Sequence, residues 1–293
     1  MQHCVLSCPA YAASSDEQIA AALQRIGPIC QQLGWELKAS PLLADPQGPG
    51  VWLPVERRAA DWRTSCDTAQ AIWALRGGYG AIELALALGP DGPQPPQLIG
   101  YSDITALHAL RFGQGLGGCY GPIAGQAFPE RSSASLIAAL SGEEQSWEHH
   151  KVSQVISLHD GDGSGPCFAA CLRVLTALVG TPLMPDLTGC ILVVEDIDER
   201  PYAVARDLLQ LLAAGCLDGI RGIVGSSFPH DPIPDYAGPD HGDVIADLAA
   251  GLGIPALWRF PCGHDDEPLS LRQAVPTELQ VAGASWSLQQ ASV

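Results

Sequence analysis

The chain repeatedly places a short apolar run before a bend and a segment of helical periodicity, and this succession constrains its fold more than any other feature. The apolar runs have the length of buried strands and include residues 71–75, 98–101, 190–194 and 220–225. The helical segments that follow them include residues 81–88, 103–112, 202–214 and 244–252. Because parallel strands need a crossover connection, usually a helix, the alternation predicts an α/β fold with a largely parallel sheet.

Two units of this kind are predicted. The periodicity fades after residue 122, and residues 141–165 are polar and rich in glycine. The pattern at 168–179 then predicts the first helix of a second unit. We therefore divide the chain into an N-terminal α/β domain, a linker with loops, and a second, mixed α/β domain, over residues 1–125, 126–165 and 166–293.

Charge and hydropathy exclude two classes of partner. The formal net charge is −17 with only 15 Lys and Arg residues, so no basic patch is available and we expect no nucleic-acid partner. No run approaches the roughly 18 apolar residues of a membrane span. The first residues carry neither a basic leader nor a long apolar core, so we expect a cytoplasmic location. The ten cysteines contain no C-x-x-C pair, which predicts small buried hydrophobic residues in a reducing compartment.

Three polar residues follow apolar runs and are the candidates for chemistry, because ligands of open α/β sheets bind beyond the carboxyl ends of the strands. They are Ser102, Glu195 and His264. Ser102 lies in Gly-Tyr-Ser-Asp-Ile, which has the first glycine of the G-x-S-x-G nucleophile elbow but not the second. Its hydroxyl is therefore either a helix N-cap or a nucleophile, and the local pattern favours the N-cap.

The other two candidates have two interpretations each. Glu195 belongs either to a solvated acidic turn or to a site in which a carboxylate orients an imidazole. His264 follows Gly263, which allows close approach of a substrate, although a lone loop histidine is more often structural.

Two loops could hold a ligand. Residues 76–80, Arg-Gly-Gly-Tyr-Gly, lack the spacing of a dinucleotide fingerprint and suit either a tight turn or an oxyanion hole of backbone N–H groups. The loop 229–243 contains four potential metal ligands, but its prolines and the lack of a helical ligand pair favour a surface loop over a metal site: His230, Asp231, Asp240 and His241.

Together these segments resemble the LD-carboxypeptidase family of serine peptidases, which includes muramoyltetrapeptide carboxypeptidases and microcin C immunity peptidases. The matching stretches appear in the family's order from residue 71 onward: AIWALRGGYGAIELALAL, LIGYSDITALHAL, GPIAGQ, residues 178–228 and PCGHDDEPLSL. The pair RGGYG and GYSDIT is the most specific part. The resemblance implies a Rossmann-like N-terminal domain and a swivelling-type C-terminal domain.

The resemblance also implies a catalytic triad of Ser102, Glu195 and His264 in the groove between the domains. His264 would take the Ser102 proton and return it to the leaving amine, while Glu195 would orient the imidazole. The backbone N–H groups of Gly78 and Asp103 would be the oxyanion donors. Members of this kind are typically homodimers that need no metal or cofactor.

The implied substrate is a small peptide, cleaved between an L-configured centre and a terminal D-amino acid, as in tetrapeptides recycled from peptidoglycan. The alternative within the family is an immunity peptidase that cleaves an amide in a peptidyl-nucleotide antibiotic. Such members tend to be longer, so 293 residues favour the muropeptide. A non-catalytic peptide-binding protein is the alternative of another class, although all three triad positions are filled. Departures from the family pattern near Tyr120, Cys167 and Leu269 bear on specificity.

Overall fold

The computed structural model describes residues 2–44, 52–232, 234 and 236–293. Its strands are β1 (Gln2–Ser7), β2 (Trp35–Ala39), β3 (Ala71–Ala74), β4 (Gln97–Ile99), β5 (Gly118–Tyr120), β6 (Gln145–Glu148), β7 (Ile156–His159), β8 (Gly161–Cys171), β9 (Ile191–Glu195), β10 (Gly222–Ser226), β11 (Ala256–Phe260), β12 (Leu271–Gln273), β13 (Pro276–Ala282) and β14 (Ser285–Gln290). Its helices are α1 (Asp16–Gln32), α2 (Val55–Thr68), α3 (Ala81–Leu88), α4 (Thr105–Gly113), α5 (Glu130–Leu140), α6 (Leu172–Ala177), α7 (Pro201–Ala213) and α8 (His241–Leu252). Within those described ranges, no helix combines the length and the apolar character that crossing a membrane requires.

The first sheet is largely parallel, as the strand–helix alternation predicts. Its strand order is β12-β5-β4-β3-β1-β2. The strands from β1 to β5 pair in parallel, whereas β12 runs antiparallel to β5. A strand from the C-terminal half of the chain therefore completes the sheet built by the N-terminal half.

The second sheet has eight strands in the order β6-β14-β13-β8-β9-β10-β11-β7. Its centre, from β8 to β11, is parallel, and the strands on both flanks are antiparallel. The mixed α/β architecture predicted for the second unit is confirmed. The limits at residues 125 and 166 stay a prediction.

The parallel strands at the centre of both sheets are buried on both faces. Every residue of β3, β9 and β10 is buried, as expected for strands covered by helices on two sides. The helices of the two units pack against one another through α4 and α6. Beside this contact, Phe112 of α4 and Phe168 of β8 meet edge to face, with ring centroids 5.0 Å apart. The shared core holds the carboxyl ends of strands from both sheets in a fixed relation.

Two predictions about the middle of the chain are wrong. The predicted helix over 168–179 is a strand in its first part, because β8 continues to Cys171 before α6 begins. A fully buried strand and a buried helix have the same apolar pattern, and here parallel pairing with β9 decides for the strand. The segment 126–165, predicted as linker and loops, contains α5, β6, β7 and the start of β8. Its polar, glycine-rich residues belong to flanking strands with accessible positions.

Candidate active site

Ser102 lies after β4, on a 3-10 turn that leads into α4. Its φ of 64° falls in the left-handed region, which costs an L-residue about 1–2 kcal/mol. The N-cap positions of the turn and of α4 are Tyr101 and Ile104, and neither start has a side-chain cap bond. The N-cap interpretation of Ser102 is therefore wrong. A strained serine at a strand-to-helix bend is the geometry of a nucleophile elbow.

The glycine-rich loop, residues 76–80, lies against this elbow. A Cβ on Gly77 would come within 2.8 Å of Ser102 Oγ and 3.3 Å of the Asp103 nitrogen, so glycine is required for the approach. The buried Asp103 carboxylate accepts a 2.8 Å hydrogen bond from the Ala81 N–H at the start of α3. Asp103 thus fastens the loop that carries Gly78 to the turn that carries Ser102.

Glu195 and His264 form a buried pair. Glu195 is the last residue of β9 and is 0% exposed. Its Oε2 accepts a 2.7 Å hydrogen bond from His264 Nδ1 and a 3.1 Å bond from the His264 backbone N–H. A Cβ on Gly263 would come within 2.2 Å of Glu195 Cδ, so the glycine is what lets the loop reach the carboxylate. The solvated acidic turn is excluded for Glu195, and the Nδ1 bond leaves Nε2 of His264 available as a base.

The pair sets the basicity of the imidazole. Burial lowers the pKa of His264 because it disfavours the charged ring, but the charge and hydrogen bond of Glu195 outweigh burial, with smaller contributions from Asp196 and Asp198. The pKa of His264 therefore lies above its ordinary value. Burial also raises the pKa of Asp196 to about 6. The site thus holds a histidine that readily accepts a proton.

Two tyrosines that were not predicted as site residues connect these groups. Tyr120, at the end of β5, donates a 2.5 Å hydrogen bond to Glu195 Oε1, and its hydroxyl lies 3.4 Å from the Ser102 nitrogen. Tyr101 meets the His264 ring edge-on, with centroids 4.7 Å apart, and donates to Gln126. Burial raises the pKa of both phenols, so both remain donors. Tyr101 follows β4 and Tyr120 ends β5, so both lie at a strand end of the first sheet, which is the signal that singled out Ser102.

Ser102 and His264 reach the site from different halves of the chain and are connected indirectly. In the part of the chain that the structure describes, no hydrogen bond joins Ser102 Oγ to His264. Tyr101, the neighbour of Ser102 in the chain, packs against the His264 ring. The Tyr120 hydroxyl lies between the Ser102 nitrogen and the Glu195 carboxylate. Catalytic hydrogen bonds are often long before substrate binds and tighten in the complex.

The remaining candidates serve local structure. Across residues 2–44, 52–232, 234 and 236–293, no three or more His, Cys, Asp or Glu side chains are grouped to hold a metal ion. Asp240 caps α8, and His241 Nε2 bonds the Glu199 carbonyl at 2.9 Å. Cys167 and Leu269 are buried in an apolar cluster. Of the three family departures, Tyr120 alone contacts Glu195 through a hydrogen bond.

The sequence matches two family models that divide the chain between them. The LD-carboxypeptidase N-terminal domain matches residues 5–121, and the LD-carboxypeptidase C-terminal domain matches residues 164–279. A putative carboxypeptidase from Streptomyces coelicolor is 35% identical over 232 residues, which cover 76% of this chain and 73% of the relative. A probable murein peptide carboxypeptidase from Bacillus subtilis is 31% identical over 206 residues, 68% of this chain and 65% of the relative.

Two solved structures share the whole fold. The muramoyltetrapeptide carboxypeptidase from Oxalobacter formigenes superposes with a TM-score of 0.83 at 24% identity, over 99% of both chains. The MccF-like protein from Bacillus anthracis superposes with a TM-score of 0.83 at 20% identity, over 100% of this chain and 97% of its own. At these identities the two structures establish a common fold and nothing narrower.

Proposed function

Because the chain belongs to the LD-carboxypeptidase family of serine peptidases, we propose that it releases a C-terminal D-amino acid from peptidoglycan-derived tetrapeptides by hydrolysing an L,D-peptide bond. The observation that carries the proposal is the 2.7 Å bond between buried Glu195 and His264 Nδ1, beside the strained turn of Ser102. These groups have the chemistry of a nucleophile, a base and an orienting carboxylate.

In the proposed reaction, Ser102 Oγ attacks the scissile carbonyl carbon and its proton passes to His264 Nε2. The carbonyl oxygen becomes an oxyanion, which the backbone N–H groups of Gly78 and Asp103 stabilise. The imidazolium then protonates the leaving amine, and the C–N bond breaks to give an acyl-enzyme. Water, deprotonated by His264, then attacks the ester carbon, and the imidazolium returns the proton to Ser102 Oγ as the C–O bond breaks. Glu195 keeps Nδ1 protonated and stabilises the imidazolium in both halves.

The decisive experiment is a release assay on a tetrapeptide that ends in D-alanine after an L-configured centre. We expect the wild-type protein to release D-alanine and to leave an all-L tetrapeptide intact. Ser102→Ala should release none while still binding the tetrapeptide. Binding without release by the wild-type protein would instead identify a peptide-binding protein on a hydrolase scaffold.

A second candidate function is cleavage of an amide in a peptidyl-nucleotide antibiotic. It is favoured by a group of aromatic rings beside the glycine-rich loop, in which Trp52 stacks on Tyr79 at 4.6 Å and Tyr11 lies 5.1 Å from Tyr79. Tyr79 is 56% exposed, so its ring offers a surface on which a nucleobase could stack. Aspartyl sulfamoyl adenosine is a suitable probe. Its hydrolysis, without release of D-alanine from the tetrapeptide, would assign this function.

We also propose that the protein acts in the cytoplasm as a homodimer. All ten cysteines are free thiols, and the prediction that they are buried holds for all but Cys66 and Cys216, which are partly accessible. Free thiols suit a reducing compartment.

The homodimer is proposed from family membership, and sedimentation equilibrium tests it. Twice the chain mass is expected, and the single chain mass would contradict the proposal.

A further inference from the structure

A cavity of about 470 Å³ opens beside His264. Its wall includes the aromatic residues Phe228 and Trp258, the polar residues Ser227 and Asp265, and one arginine, Arg259. Since His264 belongs to both the cavity and the proposed triad, a group bound here lies beside the imidazole.

Arg259 holds an unusual backbone conformation for its place in the fold. It lies inside β11, yet its φ is 64°, which an L-residue adopts only at a cost. The register between β10 and β11 shifts between Val224 and Ser226, so the strand is irregular at this point. Bulges of this kind redirect a side chain near an active site. Ser102, the proposed nucleophile, is another non-glycine residue in the same conformation.

The side chain of Arg259 is exposed and has no protein partner. Within the described ranges it makes no hydrogen bond or ion pair. By contrast, Arg58 pairs with Glu83 at 2.6 Å and Arg173 pairs with Asp207 at 2.7 Å. The cavity wall also contains two acids, Asp265 and Asp266. Asp265 accepts hydrogen bonds from the Ser227 hydroxyl at 2.8 Å and from the Glu267 N–H at 3.1 Å, and no ion pair joins either acid to Arg259 within the described ranges. A guanidinium without a partner, in a protein of net charge −17, remains available to an anionic ligand.

The proposed reaction releases an anion beside His264. His264 protonates the leaving amine, so the departing amino acid lies against the imidazole. Its carboxylate is one carbon away from that nitrogen. A guanidinium binds a carboxylate through two parallel N–H···O bonds. We propose that the cavity is the subsite for the C-terminal carboxylate of the substrate and that Arg259 recognises it. This inference rests on the proposed function and adds the residue that would make the enzyme an exopeptidase.

The first experiment compares kcat/KM for the D-alanine tetrapeptide with that for the same peptide ending in a carboxamide. We expect the wild-type protein to prefer the free acid, and Arg259→Gln to lose about 10- to 100-fold on the acid alone, as for a lost charge-assisted bond. Arg221→Gln is the matched control. It removes an exposed arginine just before β10, whereas the cavity lies beyond the other end of that strand, at Ser227. An Arg259→Gln enzyme that keeps the full preference for the free acid would overturn the inference.

The second experiment separates the subsite from the reaction. Calorimetry measures how the intact acid and carboxamide peptides bind to Ser102→Ala, with and without Arg259→Gln. We expect Arg259→Gln to weaken binding of the acid and to leave the carboxamide unaffected. That result, together with a wild-type protein that releases no D-alanine, would keep the subsite and refute the proposed function. If the wild-type protein releases D-alanine and Arg259→Gln leaves binding of the acid unchanged, the proposed function stands and the subsite is refuted.

Discussion

Tyr120 donates a 2.5 Å hydrogen bond to one carboxylate oxygen of Glu195, and the other oxygen accepts from His264. Each oxygen of this fully buried carboxylate therefore has its own donor. A buried charge needs such partners, because burial removes the water that would solvate it. Tyr120 is thus a positioning residue, which acts on the imidazole through Glu195.

Removing the Tyr120 hydroxyl tests this role. We expect Tyr120→Phe to lower kcat with little change in KM, because the phenol is fully buried and its loss frees the orientation of the imidazole. The unfolding free energy should fall by about 1–3 kcal/mol, the cost of leaving a buried acceptor unpaired. Steady-state kinetics and urea unfolding measure the two effects. Tyr202→Phe, at an exposed tyrosine on α7, is the control, and an unchanged kcat in Tyr120→Phe would refute the role.

The raised pKa of His264 predicts the acid limb of the pH–rate profile. The base must be neutral, so kcat/KM should fall as the pH drops through a value above the ordinary 6.5. Glu195→Gln removes the charge that raises this pKa, so the limb should move to lower pH. The rate should drop by a factor on the order of 10⁴, as when a triad carboxylate becomes an amide. An acid limb at the same pH in both proteins would show that a group other than His264 controls it.

The same shift has a consequence for stability. A histidine whose pKa is higher in the folded state stabilises the fold at pH values below its unfolded pKa, and the contribution is lost as the pH rises through the folded value. We expect the unfolding free energy of the wild-type protein to fall over this interval. Urea unfolding at several pH values measures it, with Glu195→Gln as the comparison, and the slope should be smaller in the variant.

Gly77 offers a steric test of the nucleophile. Its φ is not in the left-handed region, so alanine fits the backbone, but the added Cβ would lie 2.8 Å from Ser102 Oγ. We expect Gly77→Ala to lose most activity, since Ser102 must shift from its place. Gly27→Ala is the matched control, because a Cβ there meets nothing within 4 Å. Equal activity of the two variants in the D-alanine assay would place the reacting group elsewhere.

The strain at Ser102 predicts that glycine at this position stabilises the fold although it removes the proposed nucleophile. Ser102→Gly should raise the unfolding free energy by about 1 kcal/mol relative to Ser102→Ala, because glycine adopts the left-handed region freely. Both variants should lack activity. Thermal unfolding compares them, and a glycine variant less stable than the alanine variant would mean that the turn is not strained.

Much of the candidate site could be predicted from the sequence because its residues lie at strand ends. Ser102 lies after β4 of the first sheet and Glu195 ends β9 of the second, and ligands of open α/β sheets bind beyond such carboxyl ends. The position of Tyr120 at a strand end is visible in the sequence, but its bond to Glu195, 75 positions away, is not, because no local pattern encodes that contact. The strand ending at Cys171 was predicted as a helix because burial on both faces hides its period. The strained φ of Arg259 accompanies a register shift between β10 and β11, and neither can be predicted from the residues of β11 alone.

The pairing of β12 with β5 also bears on biosynthesis. Leu271 is the register partner of Tyr120, so the ribosome must add some 150 residues before the strand that holds Tyr120 gains its second neighbour. Until then β5 is an open edge, to which foreign strands can add. Pairing across so long a separation is slow, which extends the time during which a chaperone can protect that edge. The nascent N-terminal half therefore has an incomplete sheet, and the candidate site forms only after both halves have been synthesised.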